Sequence, residues 1–110
     1  MAEDIKDIIE ALIKFRDERD WKQFHDAKDL ALALSIEASE LNELFLWKLS
    51  ENVDVAKLKH ELADVFTFAF LLAEKYGLNV KQIVMDKIAL NADRYPISKS
   101  KGNANKYNDL

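Results

Sequence analysis

Residues 30–47 read LALALSIEASELNELFLW, and residues 58–73 read LKHELADVFTFAFLLA. Leucine and other apolar residues recur every three to four positions in both stretches, which predicts two helices with apolar faces. Each stretch also contains a pair of acids three residues apart, Glu37 with Glu40 and Glu61 with Asp64, whereas Glu43, a third acid in the first stretch, is expected to turn away from the leucine side. On a helix, such a pair projects from one face about one turn apart. Both pairs therefore lie among residues that are expected to form the core.

The composition predicts long helices with few turns between them. The 110-residue chain is 49% hydrophobic and has only two glycines and one proline, which is typical of a small helical protein with a core. We predict an all-α helical domain over residues 1–96 and a basic C-terminal tail over 97–110, flexible or ordered by a ligand. The predicted four-helix core, part of an oligomeric bundle, comprises residues 2–18, 29–48, 55–76 and 79–93.

The composition also argues against several kinds of protein. The chain has no cysteine, which excludes disulfides and thiolate metal sites. A formal net charge of −4 argues against binding to polymeric nucleic acid. No uncharged apolar stretch reaches about 18 residues, so no membrane span is expected. The acidic, amphipathic N-terminal sequence does not have the pattern of a signal peptide.

The acids in the two apolar stretches predict a metal site. Two carboxylates about 6 Å apart repel each other by about 2–3 kcal/mol at an effective dielectric constant of 20. Without a cation, some of the four acids have to take up protons, and their pKa values rise. Oxygen ligands of this kind indicate Mg²⁺, with Mn²⁺ as an alternative. Mg²⁺ usually keeps open positions for water and phosphate oxygens, which suits chemistry on a triphosphate.

The third predicted helix indicates a subunit interface. Its second half, VFTFAFLLA at residues 65–73, is apolar on all sides. Such a helix has to be covered on more than one face, and a chain of this length offers little to cover it. We therefore expect a homodimer or a homotetramer.

Further segments complete a recognisable pattern: RDWKQFHDAKDLALALSIEASELNELFLWK at 19–48, a KxxxN spacing from Lys87 to Asn91, and KGNANKY at 101–107. With the two acid pairs, they resemble the MazG-like all-α nucleoside triphosphate pyrophosphohydrolases, and most closely the dCTP pyrophosphatase branch. The likeness covers roughly residues 15–107. Ile36 departs from the wider family, where many members have an acid at this position.

The resemblance implies a fold, a reaction and a set of roles. The fold is a helical bundle that pairs into dimers, often dimers of dimers. The reaction cleaves a nucleoside triphosphate between the α and β phosphates, giving a monophosphate and pyrophosphate, as cytoplasmic house-cleaning of the nucleotide pool. Glu37, Glu40, Glu61 and Asp64 would hold Mg²⁺, and one of them would deprotonate the attacking water. Which acid acts as the base stays open.

Aromatic residues are candidates for a base-binding slot. On the predicted helix, Trp47 follows Glu40 by two turns, about 10 Å along the axis, which is roughly the length of a triphosphate. Trp21, Phe24 and His25 are expected to complete the slot, by stacking and by a hydrogen bond to a base edge. The alternative is that these side chains only cover the end of the bundle.

The fourth predicted helix has polar residues on an inward stripe. Lys87 is costly to bury without an anion, so it is expected to pair with a phosphate or a motif acid, and a salt bridge within the bundle is the alternative. Asn91 lies one turn further on. The resemblance implies that both contact the substrate, and Arg94 and Tyr95 fit phosphate binding at the helix end.

Two other functions remain open from the sequence. The first is a non-enzymatic helical oligomerisation or interaction module, in which the apolar third helix pairs with a partner. The second is a related pyrophosphohydrolase that acts on another phosphorylated metabolite. A metal-dependent rise in stability and a substrate profile distinguish these from the dNTP hydrolase.

Overall fold

A computed structural model describes residues 2–110 of the protein, with side chains from Asp4 onward. All regular structure in this part of the chain is helical, which confirms the predicted all-α class. The helices are α1 (Ala2–Glu18), α2 (Ala27–Glu43), α3 (Val55–Lys75), α4 (Val80–Arg94) and the short α5 (Ile97–Ser100). Single 3-10 turns occupy Lys22–Phe24, Ser50–Asn52 and Tyr107–Asp109.

The chain forms two compact units, one ending at Leu78 and the other comprising Asn79–Leu110. In the first unit α3 packs along α2 and also contacts α1. Among the described apolar side chains, only Leu30, Leu71 and Ala73 are buried. None of the described helices is long and apolar enough to cross a membrane.

Gly77 sets the end of α3. Gly77 has a φ of 65°, in the left-handed region that glycine adopts without strain. Its N–H donates to the Glu74 carbonyl at 2.9 Å, and the Leu78 N–H donates to the Ala73 carbonyl, also at 2.9 Å. This pair of bonds is a Schellman motif, which satisfies carbonyls that the helix leaves free. Asn79 then caps α4, because its side chain accepts from a backbone N–H three residues on.

The predicted extent of the second helix, 29–48, is wrong at its C-terminal end. α2 ends at Glu43, where the backbone bonds tighten from four-residue to three-residue spacing. Trp47 has a φ of 63°, and its side chain is 94% exposed. The turn contains neither glycine nor proline, so the sequence lacks the usual stop signals. A left-handed tryptophan costs about 1–3 kcal/mol, so the surrounding structure must hold it there.

The C-terminal residues fold back on the end of α4. The Asn103 side-chain amide donates to the Lys99 carbonyl at 2.8 Å and closes a turn after α5. The Tyr107 ring then meets the Tyr95 ring edge-on, with 6.0 Å between centroids. The Arg94 guanidinium lies 4.8 Å from the centre of the Tyr107 ring. These contacts are internal to the second unit. The predicted domain boundary at residue 96 stays a prediction.

Candidate metal centre

Three of the four predicted acids converge between α2 and α3. Glu37 lies on α2, and Glu61 and Asp64 lie one turn apart on α3. Each residue offers one carboxylate oxygen, and these three oxygens lie within 4.8 Å of one another. Glu37 and Glu61 are half-buried and Asp64 is exposed, so the cluster is open to solvent on the Asp64 side.

The register of α2 turns Glu37 towards α3. Leu30, Leu34 and Leu41 share its stripe at helical spacing, and they are buried or half-buried. Burial of these leucines fixes the rotation of α2 about its own axis. Glu37 therefore lies in the interface between α2 and α3, because the leucines on either side of it pack there.

Glu40 lies near the cluster but is not one of the three converging ligands. Its carboxyl raises the pKa of both Glu37 and Glu61, which places it next to each of them. Its side chain is exposed, one turn after Glu37. All four predicted acids thus share one electrostatic environment, and three of them offer oxygens at ligand spacing.

Two oxygens of the cluster lack hydrogen-bond partners. Glu37 Oε2 and Glu61 Oε2 are shielded from solvent, and neither has a donor among the described residues. Buried carboxylate oxygens without donors are costly. Hard divalent cations bind several anionic oxygens at once. The carboxylates present therefore fit Mg²⁺ or Mn²⁺ as ligands.

The crowding of these acids raises the pKa values of two of them. Burial, followed by the adjacent Glu40 and by the charges of Asp64 and Glu61, raises the pKa of Glu37 from 4.5 to about 7. Burial and Glu40 also raise the pKa of Glu61. A protonated Glu37 can donate to Glu40, whereas two carboxylates have no proton to share. In the absence of a cation, the folded chain therefore favours proton uptake at this cluster.

Trp47 does not lie where the sequence predicted. Because α2 ends four residues before it, Trp47 does not share a helix face with Glu40, and that prediction is wrong. The turn instead borders a surface hollow of about 570 Å³. The residues lining this hollow are Ser39, Asn42, Glu43, Phe45, Leu46 and Trp47.

The other aromatic candidates lie around the 3-10 turn after α1. The Trp21 ring packs edge-on against Phe15 with 5.7 Å between centroids, and Phe24 is 65% exposed. His25 is half-buried, and its Nδ1 is shielded from solvent with no partner among the described residues. Burial, together with the charges of Arg16 and Lys75, lowers the pKa of the His25 imidazole.

The four candidates on α4 belong to the second unit. Lys87 and Arg94 are exposed, and Asn91 and Tyr95 are half-buried. Within this unit, Arg94 and Tyr95 are tied to Tyr107 by the ring contacts described above. Their roles towards a substrate stay predictions.

Arg16 is a residue that the sequence analysis missed. It is 5% exposed and is the only charged residue buried among the described side chains. Its guanidinium bonds Asp17 at 2.9 Å and Glu74, on α3, at 3.2 Å. An arginine in the last turn of a helix is ordinarily read as favourable to the helix dipole, so the sequence carried no sign of its burial.

Comparison with known proteins places the chain in a family. A family model described as MazG-like matches residues 32–110. The chain is 39% identical to dCTP pyrophosphatase 1 of Bos taurus, over 96% of this chain and 68% of the bovine protein. It is 34% identical to dCTP pyrophosphatase 1 of Homo sapiens, over 96% of this chain and 67% of the human protein.

A solved structure agrees with these relatives. The crystal structure of a pyrophosphatase from Archaeoglobus fulgidus matches with a TM-score of 0.77 and 31% sequence identity, over 83% of this chain and 91% of the archaeal one. The match to the family model and the identity to both relatives extend over most of the chain, as the resemblance in sequence predicted. The chain belongs to the MazG-like family.

Proposed function

We propose that this protein is a Mg²⁺-dependent nucleoside triphosphate pyrophosphohydrolase, which converts a dNTP to the dNMP and pyrophosphate. Membership of the MazG-like family and likeness to proteins named pyrophosphatases support the class of reaction. The observation that carries the metal dependence is the convergence of three carboxylate oxygens within 4.8 Å of one another.

The four acids serve the metal and the proton transfer in this reaction. Glu37, Glu61 and Asp64 hold the divalent cation, and the nearby Glu40 completes the acidic set. When bound, such a cation offsets phosphate charge, lowers the pKa of water and stabilises the pyrophosphate that leaves. One of the four carboxylates takes the proton of the attacking water.

We assign the nucleoside to the aromatic residues of the first unit and propose a cytosine-like or non-canonical base. Trp21, Phe24 and His25 supply rings and an imidazole in one short segment, and exposed Trp47 supplies another ring. The two relatives described above are named for dCTP. On the fourth helix, we propose Lys87, Asn91, Arg94 and Tyr95 for the sugar and phosphates. House-cleaning of the cytoplasmic nucleotide pool is the proposed role.

The products test this proposal. We expect the purified protein with Mg²⁺ to release pyrophosphate and dNMP from at least one member of a dNTP panel that includes dCTP and 5-substituted dCTP. Coupled assays for pyrophosphate and for orthophosphate, run in parallel with EDTA controls, distinguish the bond that is cleaved. Orthophosphate as the product, or turnover unaffected by EDTA, contradicts the proposal.

We further propose that the protein is a homodimer or a homotetramer. Large apolar side chains remain exposed on α3, and Phe66 is one of them at 51%. The Phe66 ring stacks on Phe70, with 5.8 Å between centroids, beside a hollow of about 390 Å³ that Ile8, Ala63 and Thr67 also line. An exposed apolar surface of this kind is typical of subunit interfaces.

Replacement of Phe66 by aspartate is expected to convert the oligomer to a monomer. An interface that closes over a carboxylate leaves it without water or a partner, which costs several kcal/mol. Light scattering coupled to size-exclusion chromatography measures the mass. Val55→Asp is the matched control, because it adds the same charge at the exposed first turn of the same helix, where acids are tolerated. A monomeric parent, or an unchanged mass for Phe66→Asp, refutes the assignment.

A further inference from the structure

Arg16 joins three parts of the first unit. Its guanidinium spans from Asp17, at the end of α1, to Glu74, in the last turn of α3. The side chain is 6% exposed, whereas that of Glu74 is 32% exposed. A buried guanidinium with two carboxylate partners is geometrically defined, because its planar fork fixes the direction of each bond.

The backbone of the same residue anchors the aromatic segment Trp21–His25. The Arg16 carbonyl accepts from the N–H of Arg19 at 3.2 Å and from that of Trp21 at 3.0 Å. The segment then turns through two further backbone bonds, Phe24 N–H to Trp21 and His25 N–H to Lys22. The position of the segment relative to α3 therefore depends on how Arg16 is held.

The side chain of His25 lies beside the cations of this region. Arg16 on α1 and Lys75 on α3 are the charged groups that act on it, and Arg16 is itself bonded to Asp17 and Glu74. His25 Nδ1 is shielded and has no partner among the described residues. A proton on this ring brings a third positive charge into a poorly solvated place, so burial and both cations lower the pKa of His25.

We propose that Arg16 is a positioning residue for the nucleotide base: its ion pair with Glu74 and its carbonyl bond to Trp21 hold the segment Trp21–His25 in the arrangement that receives the base. This inference rests on the proposed function, since it assigns the base to that segment. A base that covers His25 removes water from the ring and further disfavours its charged form. Nucleotide binding thus favours the neutral imidazole, and Arg16 favours the same form.

The first measurement is independent of turnover. The chain has two histidines, His25 and His60, so two imidazole resonances are expected in an NMR titration, and His60→Gln assigns them. In Arg16→Met, we expect His25 to titrate at higher pH than in the parent. In Arg16→Lys, which keeps the charge, we expect it to titrate close to the parent. The matched control is Arg19→Met, which removes an exposed cation two residues before that segment and should leave the titration unchanged.

The second measurement separates binding from chemistry. For Arg16→Met at pH 8, we expect KM for the preferred dNTP to rise by roughly tenfold, about the effect of one lost hydrogen bond, with kcat changed by less than about twofold. KM of the parent is expected to rise on acidification, and in Arg16→Met this rise begins at higher pH. Glu74→Gln breaks the ion pair without removing the arginine, and should raise KM without moving the His25 titration to higher pH.

The outcomes are distinguishable. The inference is overturned if the parent is active and KM is unchanged in the folded variants Arg16→Met and Glu74→Gln. It is also overturned if these variants lose kcat and kcat/KM equally. A His25 titration that stays in place in Arg16→Met also overturns it. If Arg16→Met does not fold, Glu74→Gln decides the outcome through KM. If the parent hydrolyses no nucleotide although His25 titrates as expected, the proposed function fails and not the charge arrangement.

Discussion

Replacement of Glu61 by glutamine is expected to reduce turnover by more than about 100-fold, since loss of even an outer partner of a metal ligand often costs 10–100-fold. Glu61 provides one of the three converging oxygens, and its Oε2 is shielded without a donor. Glutamine keeps the size of the side chain but offers a weaker, neutral oxygen to a hard cation. Steady-state kinetics at saturating Mg²⁺ measures the loss.

The same substitution is expected to stabilise the metal-free protein at pH 8. The pKa of Glu61 is raised in the folded state by burial and by Glu40, so its charged form destabilises the fold when no cation is present. Thermal melting in EDTA should therefore show a higher midpoint for Glu61→Gln than for the parent. Glu51→Gln, an exposed glutamate outside the cluster, is the control and should change neither quantity. Retained turnover in Glu61→Gln disproves the metal assignment.

The metal-free protein is expected to lose stability as pH rises from about 5 to 8. The pKa of Glu37 is about 7 in the folded chain and 4.5 for an ordinary glutamate, so the folded state binds more protons in this window. The contribution to stability is complete below about pH 4.5 and is lost as pH rises through about 7. Melting in EDTA against pH measures it, and Glu37→Gln should flatten the slope.

Added Mg²⁺ is expected to reverse this trend. The cation binds the deprotonated cluster, so its effect on the melting midpoint should be larger at pH 8 than at pH 5.5. At a free concentration of 100 times Kd, binding stabilises the native state by about 2.7 kcal/mol, roughly 10 °C for a domain of this size. NaCl at matched ionic strength controls for screening. An equal shift at both pH values, or none, contradicts a carboxylate site and favours an inert helical module.

Much of the fold could be predicted because the sequence patterns that indicate helix faces and helix ends act on nearby residues. The leucine spacing on α2 and α3, the glycine after α3 and the asparagine before α4 act within a turn or two of where they stand, and the structure agrees with each. The end of α2 has no such local pattern in the sequence. Trp47 adopts the left-handed region without a glycine, and no short-range pattern indicates that.

In the candidate site, too, some features follow from the sequence and others from the tertiary structure. Periodicity placed Glu37 on the leucine stripe and set Glu61 and Asp64 one turn apart, so the sequence alone determined which acids share a face and, through the resemblance, which family they belong to. Only the packing of α3 along α2 brought the three oxygens within 4.8 Å, and only the tertiary structure buried Arg16 against Glu74. The spacing along one helix follows from backbone geometry, whereas the meeting of two helices depends on their relative rotation and depth of packing, to which the whole core contributes.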